Sequence, residues 1–214
     1  MRGGKHYFNT MKTREDLTRH LEKGSKVFKN ELVKEAFANV DRKDFVPEDY
    51  AYEAYEDYAI PIGYGATISQ PTTVAFMLEL LNARRGDKIL DVGSGSGWTT
   101  ALLSKIIGEE GHVWGVEIVP ELVEQGRQKL KKYQTGNAQI LLASETVGLP
   151  DHAPYDRILV SAAANEIPNE LVDTLKIGGV MVIPVKNSIL KIIKKDERRI
   201  DTEEYPGFSF VPLV

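Results

Sequence analysis

Residues 88–98 read Lys-Ile-Leu-Asp-Val-Gly-Ser-Gly-Ser-Gly-Trp, and few folds accommodate such a run. A short apolar strand passes into three alternating glycines, Gly93, Gly95 and Gly97, and then into a helix-forming segment. Without Cβ atoms the backbone can turn tightly, and a ligand can lie against main-chain N–H groups. The helix start behind the loop adds partial positive charge. Glu117 closes the next strand-like run, twenty residues after Gly97, where a carboxylate can accept the hydroxyls of a ribose.

The rest of the chain repeats this alternation. Apolar, β-branched runs predict strands over residues 88–92, 112–117, 139–142, 156–160 and 180–185, with helices over 99–107, 120–133 and 169–175. Such a pattern predicts an α/β fold, a mainly parallel sheet covered on both faces. The tail differs: residues 189–194 and 208–213 read as two strands without a helix between them, an antiparallel edge hairpin. Upstream, Thr13 caps a first helix with Asp16 at its third position and Leu17 and Leu21 on one face. A second helix starts near Asn30 and presents Val33, Phe37 and Val40. Pro47 breaks it, residues 51–65 read as a tyrosine- and acid-rich loop, and Pro71 opens a third helix with Val74, Met77, Leu78 and Leu81 as its buried stripe.

Bulk properties remove several classes of function. At 214 residues the chain suits one domain. A net charge of −4 gives no general attraction to nucleic acid. There are no cysteines, which excludes disulfides, thiolate zinc sites and a cysteine nucleophile. The four histidines, His6, His20, His112 and His152, have no ligand spacing, so no metal site is expected. Residues 191–199 mix both charge signs and read as a solvated hairpin. Residues 1–10 lack the apolar block of a secretory signal, and no apolar run approaches the roughly 20 residues that cross a bilayer. A cytoplasmic protein with no membrane partner is expected, and a monomer, since no coiled-coil seam is visible.

The loop also discriminates between cofactors. Dinucleotide sites carry G-x-G-x-x-G, which lets the backbone approach a pyrophosphate. Here the pattern is D-x-G-x-G-x-G. Asp91 would repel a pyrophosphate but suits a nucleoside bearing sulfonium and ammonium groups, as S-adenosylmethionine does. Asp91, Gly93, Ser94, Gly95, Gly97 and Glu117 are therefore candidate cofactor residues. Asp57 reads equally as a loop-positioning or a surface carboxylate, and Trp98 as core. On capping chemistry alone, Ser69 or Gln70 would cap the helix that begins at Pro71.

Further segments carry a resemblance. Phe45-Val-Pro47, Ala54-Tyr-Glu-Asp57 and Pro61-Ile-Gly-Tyr-Gly-Ala-Thr-Ile-Ser-Gln-Pro71 are similar to the N-terminal signature of the protein-L-isoaspartate O-methyltransferase family. Ala153-Pro-Tyr-Asp156, Ser161-Ala-Ala-Ala164, Leu175-Lys-Ile-Gly-Gly179 with Ile183-Pro184, and Phe210-Val-Pro-Leu213 resemble its later segments. The resemblance implies a Rossmann-like methyltransferase fold: a seven-stranded, mostly parallel sheet with an antiparallel last strand and an N-terminal helical cap. Residues 1–70 would form the cap and substrate loop and residues 71–214 the methyltransferase domain, in one compact unit. It implies methyl transfer from S-adenosylmethionine, leaving S-adenosylhomocysteine, to the α-carboxylate of L-isoaspartyl residues in damaged proteins. Glu117 would hold the ribose and Ile118 the adenine. Thr67 and Ser69 would line the reaction site, and Ile68, Val211 and Leu213 would contact the peptide.

Two departures stand out. Relatives carry Gly-Asp-Gly where this chain has Ala143-Ser144-Glu145, so Ser144 or Glu145 is expected to meet the adenine. The loop after the fourth strand begins with Ser161 in place of the commoner glycine or threonine. These differences leave open a small-molecule carboxylate or tRNA as acceptor; the acidic pI argues against tRNA. An inactive cofactor- or peptide-binding module is the alternative outside catalysis, opposed by the intact Asp91 loop, Glu117 and Thr67-Ile-Ser69.

Overall fold

The computed structural model describes residues 11–144 and 147–213. Helix α1 (Arg14–Arg19) starts at Thr13, whose Oγ1 accepts the Asp16 amide at 3.1 Å, while Asp16 Oδ2 accepts the Lys12 amide at 3.3 Å. A π-helical turn over His20–Gly24 follows. Helix α2 (Glu31–Asn39) is capped by Asn30, whose Oδ1 accepts the Leu32 amide at 2.9 Å. The antiparallel hairpin β1 (Ile60–Gly63) and β2 (Ala66–Ile68) leads into α3 (Pro71–Leu81). The expected faces are buried: Leu17 and Leu21; Val33, Phe37 and Val40; Val74, Met77, Leu78 and Leu81.

Seven strands make the main sheet. These are β3 (Lys88–Val92), β4 (His112–Glu117), β5 (Ala138–Leu142), β6 (Tyr155–Val160), β7 (Leu175–Val185), β8 (Ser188–Lys194) and β9 (Ile200–Pro206), in the order β5-β4-β3-β6-β7-β8-β9. The first five are mutually parallel, and the last two join antiparallel. Helices α4 (Trp98–Ile107), α5 (Pro120–Lys132) and α6 (Asn169–Thr174) connect β3 to β4, β4 to β5 and β6 to β7. Alternating residues of the central strands enter two apolar clusters. Ile89, Leu159 and Val182 join the N-terminal helices, α3, α4 and α5 on one face; Leu90, Ile158 and Met181 join Leu171 of α6 on the other. Both faces are thereby covered, which is why the middle residues of the parallel strands are mainly apolar on both sides.

The edge hairpin is real, but its second strand is not where expected. The last strand is Ile200–Pro206, whose Asp201, Thr202, Glu203 and Glu204 are exposed; residues 208–213 leave the sheet. An edge strand needs a partner only for its backbone, and charged side chains protect it from further pairing. Apolar character therefore pointed to the wrong segment. Phe208 stacks on Phe76 of α3, with ring centroids 5.5 Å apart, and the tail then turns back beneath the loop after β6. There the Ala163 amide donates to the Val211 carbonyl and the Leu213 amide to the Ala163 carbonyl, each at 2.8 Å. No helix among the described residues is long and apolar enough to cross a membrane.

Candidate active site

A cavity of about 400 Å³ opens at the carboxyl ends of β3, β4 and β6. This is the crevice where the strand order reverses, between β3 and β6, and where open α/β sheets hold ligands. The glycine loop forms its floor. Gly93, Gly95 and Gly97 have φ values of +74°, +52° and +87°, a region that other residues enter only at a cost. At Gly97 space is limiting too, since a Cβ would stand 3.0 Å from Ile140 Cδ1 and 3.4 Å from Gly126 Cα. The loop is pinned to β4 by the Gly93 and Ser94 amides, which donate to the Val116 carbonyl at 2.9 and 3.0 Å.

Glu117 ties the cradle together. Its Oε2 accepts the Gly95 amide at 2.8 Å, and its Oε1 accepts the amides of Ile118 and Val119 at 2.9 and 3.1 Å. A carboxylate has about four acceptor sites, so capacity remains on the side that faces the cavity. Ile118 beside it is 51% exposed, an apolar side chain left standing on the cavity wall.

Asp91 differs from the expectation. It does not reach the wall but lies fully buried behind the loop, where Oδ2 accepts the hydroxyls of Thr99 at 2.8 Å and Thr100 at 2.6 Å. It thus anchors the first turn of α4. Its Oδ1 is also buried and has no partner among the described residues. Burial pushes its carboxyl up to about 6, against the two threonine hydroxyls, which favour the ionised form. Between roughly pH 4 and 6 the folded protein holds a proton there that the unfolded chain has released, so stability falls as pH rises through that window. Relative to wild type, Asp91→Asn should therefore gain up to about 3 kcal/mol between pH 4 and pH 7. Urea unfolding of both proteins at the two pH values measures this, and parallel pH dependences would refute it.

The rest of the lining includes residues from outside the parallel strands. Thr67, Ile68 and Ser69 follow the β1–β2 turn, while Val211 and Leu213 come from the returning tail. Ser69 is not the cap of α3. That role falls to Asp57, whose Oδ1 accepts the Thr72 amide at 2.8 Å and whose Oδ2 accepts the Thr72 hydroxyl at 2.6 Å. The His20 imidazole contacts the same Oδ2 at 3.1 Å. Trp98 is 2% exposed and packs edge-on against Phe37, as core, although part of it also borders the cavity.

The structure therefore brings Gly93, Ser94, Gly95, Glu117, Ile118 and Ser144 to the lining of the same cavity as Thr67, Ile68, Ser69, Val211 and Leu213. Gly97 shapes the loop from below, and Glu145 lies outside the described residues. Sequence reasoning missed Arg42. It is 1% exposed, and its guanidinium donates to five main-chain carbonyls, those of Ala54, Glu56 and Tyr58 and those of Ile68 and Ser69. An arginine between Asp41 and Lys43 reads as surface, and only its place three residues before the buried Phe45 hints otherwise.

The fold and the glycine cradle together define a Rossmann-like domain of the methyltransferase type. The family model for protein-L-isoaspartate(D-aspartate) O-methyltransferase matches residues 12–214, and the chain belongs to that family. It is similar to the protein-L-isoaspartate O-methyltransferase of Ignicoccus hospitalis, 44% identical over 87% of this chain and 90% of that one. The Pyrococcus horikoshii protein of the same name is 39% identical over 90% of this chain and 89% of its own. A Plasmodium falciparum structure described as a protein-L-isoaspartate O-methyltransferase in complex with S-adenosyl-L-homocysteine superposes with a TM-score of 0.83. It is 25% identical, covering 95% of this chain and 99% of that one.

Proposed function

We propose that this chain is a protein-L-isoaspartate O-methyltransferase that uses S-adenosylmethionine to methylate the α-carboxylate of L-isoaspartyl residues in damaged proteins, a repair reaction. One observation carries the reading: a single cavity is lined both by the Gly93–Ser96 cradle with Glu117 and by the Thr67-Ile68-Ser69 segment. The residues present fit the nucleoside. Ser94 Oγ is buried without a partner among the described residues, Glu117 retains acceptor capacity, and Asp91 supplies negative charge beneath the loop. Gly93, Ser94 and Gly95 would lie along the amino-acid portion, Glu117 would take the ribose, and Ile118 and Ser144 would face the adenine. When bound, S-adenosylmethionine supplies an electrophilic methyl group on a positively charged sulfur.

The protein's own contribution is placement. An α-carboxyl group has a reference pKa near 3.5, so at neutral pH it is already ionised and no general base is required. Thr67 and Ser69 offer hydroxyls that can orient the anion without the tight ion pair that would blunt its nucleophilicity. Held in line, reacting groups gain on the order of 10⁵–10⁸ M of effective molarity, roughly 7–11 kcal/mol. Ile68, Val211 and Leu213 would contact the peptide, and the tail's pairing with Ala163 fixes the last two against the wall. The enzyme would work as a monomer in the cytoplasm.

Radiolabelled methyl transfer to an isoaspartyl peptide, with the aspartyl peptide of the same sequence as control, tests the assignment. Label should enter the isoaspartyl peptide alone; equal labelling of both would reject the repair reading. Ser69→Ala should lower turnover about tenfold, the effect of one lost hydrogen bond of ~1.4 kcal/mol, with S-adenosylhomocysteine binding retained. Wild-type turnover in that variant would remove Ser69 from the site.

A further inference from the structure

We infer that Arg42 is the positioning residue that sets the acceptor segment Thr67–Ser69 against the cofactor loop. This deepens the proposed function and rests on its reading of that segment. Arg42 lies in a 3₁₀ turn, Arg42–Phe45, outside the cavity, and its guanidinium is enclosed by protein. Nη1 donates to the Ala54 carbonyl at 2.9 Å and the Glu56 carbonyl at 3.2 Å. Nη2 donates to the carbonyls of Tyr58 at 2.9 Å, Ser69 at 3.1 Å and Ile68 at 3.4 Å. One planar fork thus joins the segment around 54–58 to the residues on the acceptor wall.

The same fork reaches the cofactor side. The guanidinium carbon sits 5.4 Å from the centre of the Trp98 ring, and Trp98 is the first residue of α4, immediately after Gly97. A cation over an aromatic face is attracted to it, more strongly when desolvated. The acceptor segment, the 54–58 segment and the start of α4 therefore share one rigid group. Burial pulls the guanidinium down to about 10, opposed by the nearby Asp57 carboxylate, so it stays charged at neutral pH. Asp57 reinforces the arrangement from outside, since its carbonyl accepts the Gln70 side-chain amide at 2.9 Å while its carboxylate caps α3.

Lysine cannot replace this. An ammonium is a point charge with three donors, whereas the two Nη groups here present four N–H donors in one plane. The carbonyls of Ile68 and Ser69 would lose their anchor while the cradle on β3 and β4, pinned by its own hydrogen bonds, would persist. A displacement near 1 Å in a reacting group can cost on the order of a hundredfold in rate without altering ground-state binding.

Arg42→Lys and Arg42→Gln are compared with wild type in turnover and KM for an isoaspartyl peptide, in calorimetric affinity for S-adenosylhomocysteine, and in urea stability. Arg157→Lys is the control. Arg157 is a buried guanidinium near the amino end of β6, donating to the Asn82 and Asp156 carbonyls and outside the cavity lining. Turnover in the Arg42 variants should fall about ten- to a hundredfold, with KM and nucleoside affinity within about threefold of wild type. Arg157→Lys should lose stability but not turnover. The proposal is overturned if a folded Arg42 variant turns over at the wild-type rate, if its loss is matched by lost nucleoside affinity, or if Arg157→Lys loses as much turnover. Failure of both Arg42 variants to fold even with S-adenosylhomocysteine bound would assign the residue to stability and overturn it too. Wild-type transfer is the reference throughout: its absence defeats the proposed function, whereas wild-type turnover in Arg42→Lys defeats only this inference.

Discussion

Replacing Glu117 with alanine is expected to weaken S-adenosylhomocysteine binding by about 10- to 150-fold, or ~1.5–3 kcal/mol for a lost charged hydrogen-bond acceptor. The structure makes the effect twofold in origin. The ribose would lose its carboxylate, and the amides of Gly95, Ile118 and Val119 would lose theirs. Because Glu117 is only 7% exposed, water does not freely replace it. Glu117→Gln should be intermediate, since its amide oxygen can satisfy one side while its NH₂ group faces an N–H donor. Calorimetry decides, and unchanged affinity in the alanine variant would contradict both roles.

Trp98→Ala should lower folding stability by about 3–5 kcal/mol, the range for deleting a large buried aromatic. The indole is 2% exposed, meets Phe37 edge-on at a centroid distance of 5.5 Å, and lies under Arg42. Domains are typically stable by only about 5–15 kcal/mol, so this variant should stand near the folding threshold. Trp98→Phe should cost much less, because the indole Nε1 is buried without a partner among the described residues and its removal breaks no hydrogen bond there. Urea unfolding tests both, and a loss below about 1 kcal/mol in Trp98→Ala would show that the ring is not part of the core.

Much of the fold was legible because its signals are local. The strand–glycine–helix passage at residues 88–98, the Thr13 cap, the helix start near Asn30 and Pro71 at the start of α3 each declare themselves within a few residues. So did the cradle, whose glycines need positive φ whatever surrounds them. The rest depends on partners distant in sequence. Nothing near Asp57 announces that it caps a helix beginning at Pro71, and nothing near Arg42 announces five carbonyls spread from Ala54 to Ser69. Asp91 read as a cofactor residue at the loop, whereas its burial behind the threonines of α4 depends on how helix and strand pack. In the tail, apolar character suggested a strand, whereas Phe208 packs on Phe76 and Val211 and Leu213 complete a cavity wall. Apolar residues report burial, not the surface they are buried against.

Titration of the purified protein with S-adenosylhomocysteine, followed by calorimetry, most directly tests the claim that the glycine cradle and Glu117 hold an adenosyl cofactor. One saturable site per chain is expected, lost or strongly weakened in Glu117→Ala. Heat that does not saturate, or a site indifferent to Glu117, would contradict it.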